Sequence, residues 1–267
     1  MSTTGLAWVR ISAVASRHYL VMLRSPHRLF DVTIWPLVDV LLFGSIGAFV
    51  SQAEGAGAAA FGYLLGGIVL WHVVYQSQIA VSTGFLEETW SRNLLNLMVT
   101  PLKEVEYVAG VALFGLVKLV IGVGLVAVTA LLFFSFNVSD LGLGLIPVAA
   151  ILLLVGWIIA LFVVGCVLRF GSGAEALAWG ILFAVMPLSG VFYPVDALPG
   201  AVQPISVALP TTHAFDAMRA LLDGRGLLWD EIAIAAGSTV VLALLALGFV
   251  VKMLKLFRAR GYISRYS

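Results

Sequence analysis

Residues 84–107, GFLEETWSRNLLNLMVTPLKEVEY, set six charged side chains (Glu87, Glu88, Arg92, Lys103, Glu104 and Glu106) between two of the most apolar runs in the chain. The run before it, 61–86, holds no Asp, Glu, Lys or Arg, and the run after it, 108–136, holds only Lys118. Hydrocarbon does not tolerate such a charge density, and the segment is too short to be a domain. It is expected to stand in water at one side of a membrane, showing Leu94, Leu95, Leu97 and Met98 beside its charges. That is the form of a docking element.

Composition agrees. The chain is 61% hydrophobic and 11% charged, with mean hydropathy +1.08, far outside the soluble globular range. Its 267 residues lie nearly all in or beside apolar spans, which leaves no room for a water-soluble catalytic domain. A formal charge of +1 gives no reason to expect a nucleic-acid partner. The single cysteine, Cys166, excludes an intrachain disulfide and a thiolate metal cage. No secretory leader is expected, because the first apolar stretch is broken by Arg17 and lacks a small-residue cleavage site.

The expected fold is an all-α integral membrane protein. An amphipathic interfacial helix within 1–30 precedes a six-helix transmembrane domain at 31–256, and a basic tail follows at 257–267. The spans are placed at 31–50, 61–83, 106–134, 143–168, 175–192 and 232–254, near the ~20 residues that cross about 30 Å of hydrocarbon. In the first segment Arg10, Arg17 and Arg24 recur every seven residues, with Trp8, Ile11, Ala15, Tyr19 and Met22 opposite. Basic and aromatic stripes of this kind suit the headgroup layer, and Ser25-Pro26 should end the helix.

Counting Lys and Arg orients the chain. The N-terminal segment, the 84–105 loop, Arg169 and the tail together carry twelve, whereas the opposite loops carry only Arg219 and Arg225. Both termini and the 84–105 loop are therefore expected in the cytoplasm. Five of the nine prolines fall between 187 and 231. Two readings of the 193–230 region stand side by side: short re-entrant helices, or a loop lying on the outer surface. An inverted repeat, which many secondary transporters carry, is not evident.

The chain contains no Gly-Lys dipeptide, so a phosphate-binding loop cannot be written in it. Any ATP must be bound elsewhere. No catalytic constellation is expected, and the four scattered histidines give no metal site. Two charges lie inside spans, Asp39 about 12 Å deep and Lys118 about 18 Å deep at 1.5 Å per residue. A structural ion pair between them is expected in preference to a proton relay. Trp71, His72, Tyr75, Gln76 and Gln78, with Trp35, could line a path for an amphiphile; helix packing with polar contacts is the plainer account. Trp157 and Trp179, like Trp35 and Trp71, are compatible with a path for a polysaccharide or for a smaller lipid-like molecule.

Taken in order, these features resemble the ABC-2 permeases, the membrane subunits of type-2 ABC exporters. The resemblance covers essentially the whole chain. It rests on the basic N-terminal helix, the entry Phe30-Asp31-Val32-Thr33-Ile34-Trp35-Pro36, and Glu87-Glu88-Thr89-Trp90-Ser91-Arg92-Asn93-Leu94-Leu95-Asn96 followed by Pro101. Ser189-Gly190-Val191-Phe192-Tyr193-Pro194, Leu198-Pro199 and Leu209-Pro210 with Ala214-Phe215-Asp216-Ala217-Met218-Arg219 complete it.

The resemblance implies a permease, itself without catalysis or cofactor, that exports an amphiphilic cargo such as a lipid-linked glycan, a lipid or a hydrophobic drug. It implies a second permease copy and two cytoplasmic ATPase subunits, which bind ATP and Mg, in the inner membrane. A coupling helix would run from about Glu88 to Thr100, so Glu87, Glu88, Trp90, Arg92, Asn93, Leu94, Leu95 and Pro101 are the candidate ATPase-coupling residues. The family often carries an ERE pattern there; here Glu87, Glu88 and Arg92 stand at different spacing. An ion- or proton-coupled secondary transporter using Asp39 and Lys118 is the alternative.

Overall fold

The computed structural model describes residues 3–52, 57–91 and 100–259. Arg92, Asn93, Leu94 and Leu95 therefore lie outside the described residues. Among the described residues the chain is entirely helical, without strands. Five helices are long and apolar enough to cross a membrane.

Helix α1 (Thr3–Leu23) stops just before Ser25, which is extended, and α2 (Pro26–Ser51) starts with Pro26 in its first turn. There the missing N–H of proline costs nothing and its fixed φ suits the helix. Helix α3 (Gly57–Trp90) is the longest, at 34 residues. Helix α4 (Glu104–Phe134) opens with the Glu106 carboxylate accepting from the Lys103 backbone N–H at 2.9 Å, which satisfies one of the donors a helix start leaves open. A 3-10 turn (Val138–Gly144) leads into α5 (Leu145–Phe170). Gly171, at φ 81°, ends α5 in the left-handed region that glycine reaches freely.

Helix α3 is the axis of the bundle, packed on α2, α4 and α5. In its span 83% of the most apolar stretch is buried, against 17% for α9 (Trp229–Ala259). Contact with α5 is close because residue 156 is glycine: a Cβ there would overlap the Ser77 hydroxyl and the Val74 carbonyl. Outward surfaces of α2, α4, α5 and α9 expose Phe49, Leu132, Phe133, Ile146 and Leu244. Apolar surface of this extent on a helical bundle belongs against lipid chains, not water.

Three expectations are corrected. The second span does not end near 83, since α3 continues through Glu87 and Glu88 to Trp90. The charges around it do not all stand in water either, for Glu88 is 1% exposed and Glu106 is buried. Arginines from α1 reach both carboxylates, and that neutralisation lets the helix carry them inward. Finally, the stretch expected as a span at 175–192 forms a helix of only 12 residues, α6 (Leu177–Leu188), about 18 Å long.

After α6 the proline-rich segment folds as a 3-10 turn (Val195–Ala197) and two helices, α7 (Gln203–Val207) and α8 (Pro210–Leu222). Helix α8 is no surface loop. It is buried from Pro210 to Phe215 and packs on α3, α5 and α9. Its polar groups are met inside: Thr211 bonds Ser189 at 2.7 Å, Thr212 donates to the Ser206 carbonyl at 2.6 Å, and Arg219 donates to the Gly190 carbonyl and to Asp216. His213 lies 2.6 Å from Glu231, joining α8 to α9.

Candidate functional site

Beside α3 lies a cavity of about 700 Å³, walled by α2, α3, α4 and α6. It collects most of the cargo-path and buried-charge residues expected from the sequence: Trp35 and Asp39 from α2, Trp71, Tyr75 and Gln76 from α3, and Lys118 from α4. Helical spacing explains the grouping, because 35 and 39, 71 and 75, and 114 and 118 are each one turn apart. Trp157 is not on this wall, whereas Trp179 is. Along α3 the lining runs from Ile68 to Trp90, about 33 Å at 1.5 Å per residue. Trp35 and Phe183 are 52% and 73% exposed, so the cavity is open to the side between α2 and α6.

Asp39 and Lys118 share this cavity. The Asp39 carboxylate lies 3.3 Å from His72 Nε2 across the α2–α3 contact. The approach is off the line of a hydrogen bond. Gln78, two residues beyond Gln76, is fully buried and its Nε2 donates to Ser82 Oγ and to the Ala178 carbonyl, both at 3.0 Å. It ties α3 to α6 and takes no part in the cavity.

At one end the cavity closes on a charged cluster. Arg28 of α2 pairs with Glu87 at 3.1 Å, and both line the mouth together with Trp90. Behind them Arg17 of α1 grips Glu88 at two points, 2.6 and 3.1 Å. His18 lies 3.8 Å from each of Glu87 and Glu88 and stacks on Phe114 of α4. Nearby, Arg10 donates to Glu106 at 3.1 Å and to the Pro101 carbonyl at 3.0 Å. Four helices meet here.

Two of the three arginines on the expected basic stripe pair with protein carboxylates, Arg10 with Glu106 and Arg17 with Glu88, and Arg24 is exposed. Val14, His18 and Met22, four residues apart, form the buried face of α1, while Trp8 and Tyr19 face outward. Gly110 lets α1 lie close on α4, since a Cβ there would overlap Val14 and the Ile11 carbonyl. Of the candidate coupling residues, Trp90 and Pro101 are exposed, Glu87 is half-buried and Glu88 is buried.

At the far end of α3, the Tyr63 hydroxyl donates to Asp223 in the turn after α8, and Arg225 donates to the same carboxylate at 2.8 Å. The Tyr63 hydrogen bond, aided by Arg225, holds the Asp223 carboxyl below its usual value.

Sequence reasoning missed Phe43, Phe114, Phe183, Met186 and Arg28 as lining residues. On α6 the signal was available, as Trp179, Phe183 and Met186 recur at helical spacing. For Phe43 and Phe114 it was not: each sits in a run apolar on all sides, where periodicity cannot single out one face.

Comparison with known proteins agrees with this architecture. The chain is 23% identical over 245 residues, 87% of its length, to the daunorubicin resistance ABC transporter permease protein DrrB1 of Streptomyces coeruleorubidus, of which 84% is covered. Such permeases are non-catalytic membrane components, and they generally pair with ATPase subunits. Residues 9–222, from the second turn of α1 to the end of α8, match the ABC-2 type transporter family, and the chain belongs to that family as a multi-pass membrane permease.

Proposed function

We propose that this permease exports an amphiphilic cargo from the cytoplasm, driven by a separate ATPase that docks on the 84–105 segment. The observation that carries the reading is the aromatic cavity ending on the Arg28–Glu87 pair beside the Arg17–Glu88 pair. A path for an amphiphile and the joint between interface helix and coupling segment are here one continuous structure. The relative named above, a drug-resistance permease, supports a hydrophobic drug or lipid over a polysaccharide.

In this reading α6, with the turns around it, completes a sixth span, and α7 and α8 are re-entrant helices at the outer mouth. A second copy of the chain faces the side opening between α2 and α6, and two ATPase subunits bind ATP and Mg. Both termini are cytoplasmic. Closure of the ATPases would press on the coupling segments. Because Glu87 and Glu88 are bonded to α1 and α2, that push reaches the interface helix and the cavity wall together, and the two halves switch as rigid bodies.

Reconstitution in liposomes with the cognate ATPase tests it. Efflux of a hydrophobic dye should require ATP and that subunit. Efflux that instead follows an imposed pH gradient, without ATPase, and is lost in Asp39→Asn, would establish the proton-coupled alternative.

A further inference from the structure

Gln76 is 1% exposed on the cavity wall, and among the described residues neither its Oε1 nor its Nε2 has a hydrogen-bond partner. His72, one turn away on the same face of α3, is equally buried and makes no aligned hydrogen bond among the described residues. Buried polar groups are nearly always bonded, and leaving both ends of an amide open is costly. Packing between helices does not account for it. The Gln76 amide lies against Gly122 of α4, where a Cβ would overlap it, yet it bonds nothing across that contact. Gln78 shows the contrast, for its amide spans to α6.

We infer that Gln76, on the lining that Asp39 shares, is the polar recognition point of the cavity, and that it selects an amphiphile with a flat aromatic body and an adjacent hydrogen-bond donor and acceptor. A carboxamide offers one donor edge and one acceptor side by side, which complements a hydroxy-ketone or an amide on the ligand. Trp35, Trp71, Tyr75, Trp179 and Phe183 supply the aromatic walls against which such a body stacks. A pocket built this way rejects ligands that leave its polar groups unpaired. The inference rests on the export reading and deepens it.

The test uses the full chain with its ATPase in lipid nanodiscs and two probes. Daunorubicin carries hydroxyquinone and sugar hydroxyl groups; tetraphenylphosphonium is aromatic and has no hydrogen-bonding group. Gln76→Met, which keeps the volume and removes the amide, should weaken daunorubicin binding at least about tenfold and leave tetraphenylphosphonium binding unchanged. Gly122→Ala, which displaces the amide, should shift the same ratio in the same direction, and it carries the comparison if Gln76→Met does not fold. Unchanged daunorubicin binding in both variants overturns the inference. So does a parallel loss of both probes, which would make Gln76 a packing residue. Vesicles with the same complex separate this from the export reading: ATP-driven efflux of tetraphenylphosphonium by Gln76→Met keeps that reading whatever the binding ratio, and absence of ATP-driven efflux of either probe by the wild type overturns both.

Discussion

Arg17 and Glu88, 71 residues apart in sequence, form a two-point ion pair in which the carboxylate is 1% exposed and the guanidinium side chain 45% exposed. The asymmetry decides which partner depends on the other. Glu88 has been taken out of water and needs its cation, whereas Arg17 can fall back on solvent.

Arg17→Ala should therefore cost about 2 kcal/mol, less than a wholly buried pair because Arg17 is partly solvated. Glu88→Gln should cost less than Arg17→Ala, and the double variant should be more stable than the sum of the two losses predicts, by about 1 kcal/mol or more. Thermal unfolding in detergent measures the cycle. Strict additivity would show that the pair carries no coupling. Both single variants should also raise ATPase turnover relative to cargo moved, because the joint between α1 and α3 is slackened.

Two glycines give opposite expectations. Gly156→Ala forces a methyl into the Ser77 hydroxyl and Val74 carbonyl at the α3–α5 contact and should cost about 3 kcal/mol. Gly124→Ala meets nothing within 4 Å and should be neutral or stabilising by about 0.5 kcal/mol. Equal melting temperatures for the two would show that the α3–α5 approach is not this tight.

The turn after α8 should respond to acid and to nothing nearer neutrality. Asp223 is held below its usual value by the Tyr63 hydroxyl first and Arg225 next. A depressed carboxyl contributes stability that is complete above its unfolded value, about pH 4, and is lost as pH falls through the lower folded value. Hydrogen exchange at 220–226 should accelerate only below about pH 4, and Tyr63→Phe should flatten that dependence. Acceleration confined to the region near neutral pH would assign the effect to another group.

Cys166 is 5% exposed, and its burial permits a clean topology experiment. In a Cys166→Ser background, Ser91→Cys at the exposed end of α3 should react with a membrane-impermeant maleimide only in inverted vesicles. Gly224→Cys in the turn beyond α8 should react only from the outer side of intact cells. The reverse pattern would invert the orientation drawn from the Lys and Arg count.

Much of this was legible in residues. Ser25-Pro26 marked the break between α1 and α2, and Trp71 and Tyr75, read more plainly as helix packing than as a cargo path, both line the cavity. What escaped has a common cause. Glu87 and Glu88 read as part of a loop standing in water because charge ends spans, and nothing local says that Arg17 and Arg28 pair with them. Asp39 and Lys118 line one cavity, and His72 stands 3.3 Å from the same carboxylate, a neighbour that matching charges along the sequence does not offer. An imidazole in a run without Asp, Glu, Lys or Arg carries no signal that it will face a carboxylate on the neighbouring helix. Helix α6 read as a full span from hydropathy over 175–192, but the backbone breaks at 189, where the Ser189 hydroxyl bonds Thr211 of α8 and the chain turns through Gly190 at φ 62°.

One further property belongs to α3. It is tethered near both tips, by Tyr63 to the turn after α8 and by Glu88 to α1, and these anchor points stand 25 positions apart on a single rod, about 37 Å. No proline interrupts it. A stiff strut fixed this way cannot bend to absorb a shove at one tip, so whatever tilts the Glu88 end must carry the Tyr63 end the opposite way, like a seesaw whose fulcrum is the glycine contact with α5.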